Sequence, residues 1–123
     1  MDKYKNLKMI AELGGQFEFK ARVNEFREVE TDDGKVVKEV FLSNIVSIDN
    51  LFVKDNTIIP KGKCSKKWKY IKFSAEIKLV KMKIPKDKRE KYNFKKANKF
   101  HNFFSVKNIQ QITQEEYEGI IMT

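Results

Sequence analysis

The sequence predicts a mainly β domain whose five strands curl into a small, partly open barrel, with a short helix in front and a basic insertion before the last strand. Three observations lead there. Apolar and polar residues alternate at a period of two over long stretches, most cleanly from Trp68 to Met82. An Asp33-Gly34 step between two apolar stretches signals a hairpin. The longest alternating stretch is too long for one straight strand of a small domain, so it bends around a core. With 123 residues, 41% of them hydrophobic and ten of them Phe, the chain suits one domain spanning residues 1 to 123.

The elements follow in chain order. Residues 3 to 13 space Tyr4, Leu7, Ile10 and Leu13 three apart, a helical stripe that Gly14 and Gly15 stop. From Gln16 the period drops to two. Phe17, Phe19, Ala21 and Val23 point one way and Glu18, Lys20, Arg22 and Asn24 the other, which describes a half-buried strand. The turn from Thr31 to Lys35, where Gly34 takes the positive φ, leads into a second strand from about Val36 to Ile45. Asp49 and Asn50 turn the chain again before a short third strand, Leu51 to Lys54, which Asp55 and Asn56 end. Pro60 and Gly62 punctuate the next connection. The fourth strand sets Ile71, Phe73, Ala75, Ile77 and Leu79 on one face and Trp68, Tyr70, Lys72, Ser74, Glu76 and Lys78 on the other; Pro85 ends it. Residues 86 to 99 fit a basic loop and an exposed helix equally well. Phe100 to Ile112 reads as the last strand, and Thr113 with Glu116 offers a capping box for one terminal turn.

Phe17 to Val23 and Ile71 to Ile77 share one form, an apolar residue, then Phe, Ala and a β-branched residue at alternate positions. Their flanks differ, so shared geometry is the cause rather than a tandem repeat, and both line the same core. The small Ala in each falls where opposite walls of a curved sheet come close. Strands in the order long, medium, short, long, long, with an insertion before the last, suggest a partly open barrel of the OB type, with a simple sandwich as the alternative. A resemblance rests on four segments: Phe17 to Val23, Glu39 to Ile45, Asp49 to Asp55 and Tyr70 to Ile77. Over about residues 15 to 82 the chain resembles small OB-fold-like proteins encoded on phages, plasmids and integrating elements of Gram-positive bacteria. The resemblance implies an OB barrel and single-stranded nucleic-acid binding. The chain departs from that pattern at Glu76, where such proteins often carry Arg, and in the lysine-rich stretch 83 to 99.

The net charge is +9, and it is uneven: residues 54 to 99 hold 17 Lys and Arg against Asp55, Glu76, Asp87 and Glu90. A concentrated positive field attracts phosphates and releases their counterions, which points to single-stranded DNA or RNA as partner. An acidic protein partner and plain solvation compete with this reading. Lys outnumbers Arg 23 to 3, as an A/T-rich coding sequence would also produce. No apolar run is long enough to cross a membrane, and Met1-Asp2-Lys3 opens no signal-peptide pattern, so a cytoplasmic location is expected. One Cys64 and one His101 leave no disulfide and no zinc ligand set, and no cofactor is expected.

In an OB barrel the ligand crosses strands two and three between the loop joining strands one and two and the loop joining strands four and five. Here the first loop, around Asp32 and Asp33, is acidic and the other, Lys83 to Lys99, is basic, so a polyanion approaches from the second side, where Lys95 and Lys96 lie. On the outward side of the fourth strand Trp68, Tyr70 and Lys72 lie two apart, preceded by Lys66 and Lys67. Exposed rings stack bases, and neighbouring ammonium groups track phosphates without reading sequence. Lys20 and Arg22 face outward on the first strand. Phe41 and Phe52 are further candidate platforms, and Phe103 with Lys107 is another. Each has a plainer reading: Trp68 and Tyr70 beneath the leading helix, Phe41 and Phe52 in the core, Phe103 at a protein interface.

Catalysis is not expected. Glu18, Glu25, Glu28, Asp32, Asp33 and Asp49 sit beside turns and on an outward face rather than clustered for Mg²⁺. No Gly-rich phosphate loop or nucleophile elbow is present, and His101 has no evident nucleophile. Cys64, among Lys61, Lys63, Lys66 and Lys67, would have a lowered thiol pKa if exposed. The alternative function is an element-encoded inhibitor of a host nuclease or defence ribonucleoprotein, anti-CRISPR-like, acting through the basic segment 83 to 99. The +9 charge argues against a DNA mimic.

Overall fold

The computed structural model describes residues 3–81 and 99–119. Where the sequence alternates, it forms strands: β1 (Phe17–Glu30), β2 (Val36–Ser47), β3 (Phe52–Pro60), β4 (Tyr70–Lys81) and β5 (Lys99–Ile112). The helical stripe forms α1 (Lys5–Leu13), and a one-turn α2 (Gln114–Glu118) follows β5. All five strands join one antiparallel sheet in the order β3-β2-β1-β4-β5. The first four strands make a Greek key, with β4 returning to lie beside β1. The edges β3 and β5 approach until Cα atoms come within 8 Å, but no ladder joins them and the sheet is not closed. The Lys54 Nζ, on β3, crosses the seam and donates to the His101 carbonyl of β5 at 2.8 Å.

The two similar segments pair side by side. Phe19 sits opposite Phe73 and Ala21 opposite Ile71, with Phe19, Ala21, Ile71, Phe73 and Ala75 fully buried. The Phe19 and Phe73 rings lie 5.7 Å apart, and Phe103 meets Phe19 edge-on at 5.0 Å. Leu7 and Ile10 of α1 enter this core against β3 and β4, while Leu13 stays exposed, because Gly14 (φ 70) ends the helix before that turn can dock.

Curvature comes from bulges. β2 carries an extra residue at Asn44, and β5 carries two, at Ser105 and Asn108, all three with positive φ. Each bends its strand and breaks the period of two. In β5 the core-facing residues are therefore Phe103, Val106, Ile109 and Ile112, three apart instead of two. β1 has its own extra residue at Asn24.

Some expected boundaries move, and β2 runs on past Ile45 to Ser47. Asp55 and Asn56 do not end β3, which runs on to Pro60 with Asn56 opposite Ser43. The strand lies at the sheet edge, where turn-forming residues cost little and Pro is tolerated. β4 begins at Tyr70 instead of Trp68, because the Trp68 N–H donates into a turn at the Ser65 carbonyl. The capping box forms as expected: the Glu116 N–H donates to Thr113 Oγ1 at 3.1 Å and the Thr113 N–H to Glu116 Oε1 at 3.4 Å. The β1–β2 loop closes with the Gly34 N–H on the Thr31 carbonyl and φ 82 at Gly34.

Candidate nucleic-acid interface

Antiparallel register assembles the outward face of β1 and β4. Arg22 stands opposite Tyr70, and Lys20 opposite Lys72, with Val46, Phe52 and Gln110 continuing the second row across the sheet. Two lysines directly opposite repel each other, which costs stability. Among the described residues neither forms an ion pair. Lys20 is almost wholly buried, and its ammonium donates to Asn50 Oδ1 and, at 3.1 Å, to the Glu116 carbonyl. Burial pushes its pKa down, with the charge of Asp49 opposing. A groove lined by Lys20, Lys72, Asp49, Asn50, Glu116 and Gly119 marks the spot.

Tyr70 is half-buried, and what lies on it is α2: the Tyr117 ring sits 4.8 Å away, tilted by 32°. Tyr117 Oη donates to the Asn44 carbonyl at 2.6 Å, so the bulge in β2 supplies the acceptor that anchors α2. Burial and then the neighbouring Tyr70 push the Tyr117 phenol up, while Arg22 opposes.

The other expected residues spread out. Trp68 is not on the strand face with Tyr70 and Lys72: it belongs to the loop before β4 and its half-buried indole packs against the core. Phe103 is no platform, since the bulge at Ser105 sends it into the core while Lys107 stays exposed. Lys20 is no open phosphate contact, being covered by Asn50 and α2. Phe52 is half-buried under the start of the chain, its ring 6.1 Å from Tyr4 with the Lys3 Nζ 5.5 Å above it. Phe41 keeps an outward, half-buried position between Glu25 and Ile58. Arg22, Lys66 and Lys67 are exposed and Lys72 is half-buried. Lys95 and Lys96, with segment 83 to 98, lie outside the described residues.

The fold adds residues that spacing alone did not show. Residues 61–69 form a lysine-rich loop that docks on β1 and β2, with the Lys61 N–H on the Lys38 carbonyl and the Val23 N–H on the Lys69 carbonyl. Lys61 and Lys66 thereby join Arg27, Glu28 and Lys38 in a groove floored by Phe26. Lys63 shares a second groove with Lys107. The density of lysines around Cys64 was the available signal, but only the β1–β2 register brings Arg27 and Lys38 to it. Cys64 itself is fully buried, and burial pushes its thiol pKa up against the opposing charge of Lys61, the reverse of what exposure would give. No group of three or more His, Cys, Asp or Glu residues suited to a metal ion occurs among the described residues. No described helix is long and apolar enough to cross a membrane.

Comparison of the chain with protein-family models, with curated proteins and with solved structures finds no match.

Proposed function

We propose that this chain is a non-enzymatic, single-stranded nucleic-acid-binding module of OB type from a mobile genetic element. The observation that carries the reading is the β1–β4 register, which sets Arg22 beside Tyr70 and Lys20 beside Lys72. A ring flanked by cations suits a stacked base with its phosphates. Lys72 and the exposed Arg22, which form no ion pair among the described residues, gain when a polyanion neutralises them. Lys63 and Lys107 carry the positive field onto β5, and Lys61 and Lys66 carry it to Arg27 and Lys38 on the β1–β2 hairpin. The Greek-key strand order, the bulged, curved strands and the approach of β3 to β5 support the OB assignment.

The test is fluorescence anisotropy of a labelled oligo-dT. Binding is expected at low salt, falling steeply as salt rises, and Lys72→Ala lowers the magnitude of the salt slope by about 1. Absence of binding at low salt contradicts the proposal. A second reading, an inhibitor that grips a host protein, draws on one observation. Every residue from Arg27 to Lys38 is exposed, and Val29, Val36 and Val37 on this ribbon present apolar surface. Co-purification of one stoichiometric protein that survives nuclease treatment would favour it.

A further inference from the structure

The helix α2 has five residues, none of them buried. A helix this short does not persist alone in water, so its order depends on its cap and on what it touches. It touches the face just described. Tyr117 lies on the Tyr70 ring, Tyr117 Oη reaches the Asn44 carbonyl, and the Glu116 carbonyl accepts from the Lys20 ammonium. Gly119 follows with φ 75, so close to Asn50 that a Cβ there would lie 1.9 Å from the Asn50 amide nitrogen. The Glu116 carboxylate turns back to Thr113 and that of Glu118 accepts from Gln114, so what the segment lays on the sheet is the Tyr117 ring and the neutral Glu116 carbonyl.

A flat ring on an aromatic platform and an oxygen on a lysine are the contacts that a nucleotide's base and phosphate make. We infer that Tyr117 occupies a base-stacking subsite on Tyr70, and that α2 is a displaceable strap which an unpaired nucleotide replaces. The inference rests on the reading of this face as a nucleic-acid interface. Its energetic basis is the weakness of the strap. A segment with no buried residue opens at low free energy, so a ligand with better stacking and a full phosphate charge competes with it. While the strap is closed, it lowers the apparent affinity by the fraction of molecules in which the subsite is filled.

The experiment titrates a fluorescein-labelled oligo-dT with the whole chain and three variants at low salt, by anisotropy. Tyr117→Ala empties the subsite and tightens binding by about tenfold. Thr113→Ala removes the helix cap, whose side chain bonds only Glu116 among the described residues, and tightens binding in the same direction; it carries the test if Tyr117→Ala does not fold. Tyr70→Ala combined with Thr113→Ala removes the platform and loses about tenfold relative to Thr113→Ala alone, as one stacking contact is worth. If the parent binds oligo-dT but the strap variants bind equally or more weakly, Tyr117 is a plain structural residue or a contact, and the strap is overturned while the function stands. If the parent and all variants fail to bind, the function and the strap fall together.

Discussion

Thr57 illustrates how a single side chain can be out of balance with its surroundings. It lies 95% buried on β3, and its hydroxyl has no hydrogen-bond partner among the described residues. A buried polar group without a partner costs about 1–3 kcal/mol. Thr57→Val keeps the shape and removes the unmet donor, so it raises unfolding stability by about 1 kcal/mol, read from the shift in urea midpoint. Asp55 shows the opposite case. Lys3 Nζ donates to it at 2.8 Å and so does Tyr4 Oη at 2.8 Å, and these bonds, that of Lys3 first, hold its carboxyl below the usual carboxylate range. The unfolded chain then binds more protons than the folded one between the two pKa values. The stabilisation is complete above the usual range and disappears as pH falls through the folded value. Acid unfolding of Asp55→Asn, compared with the parent, lacks that dependence and begins from lower stability at neutral pH.

Among the elements, the bulged β5 is the most informative. Asn108 holds φ 57 at the second bulge, a conformation Asn tolerates and β-branched residues resist. Asn108→Val costs about 1–2 kcal/mol, whereas Asn108→Gly is near neutral, as denaturant melts would show. The same bulges explain what the sequence could and could not reveal. β1 and β4 were legible because their ladder in the region of Phe19 and Phe73 is unbroken, so alternation maps directly onto inside and outside. The spacing of Phe103, Val106, Ile109 and Ile112 could not be read as a strand face, because a period of two assumes no inserted residue. Trp68 and Tyr70 were two apart in sequence yet fall in different elements, since a turn at Ser65 captures the first. The end of β3 was misplaced for a related reason: Asp55 and Asn56 favour turns locally, but the edge register with β2 and the tie from Asp55 to Tyr4 outweigh that preference. In α1 the stripe was readable, and Leu7→Ala, which empties a buried site, costs about 2–5 kcal/mol in the same assay.

At the scale of the whole molecule, one sheet folds back until its edges nearly meet, and Lys54 spans the gap with a bond to the His101 carbonyl. Burial pushes the pKa of Lys54 down. The positive charge is distributed by this fold rather than by the chain alone. The loop 61–69 collects Arg27 and Lys38 from the hairpin and brings Lys63 towards Lys107, while β1 and β4 place Arg22, Lys20 and Lys72 together. Sequence composition showed that the basic residues were concentrated, but their arrangement on the sheet needed the register. On the function proposed above, rings and lysines placed in this way would grip unpaired strands and would not stack on bases already paired. The most direct measurement compares a labelled single strand with the duplex of the same sequence by anisotropy at two salt concentrations. The account predicts tighter binding to the single strand and a marked loss of affinity at the higher salt. Equal binding to both forms, or an affinity indifferent to salt, would contradict it.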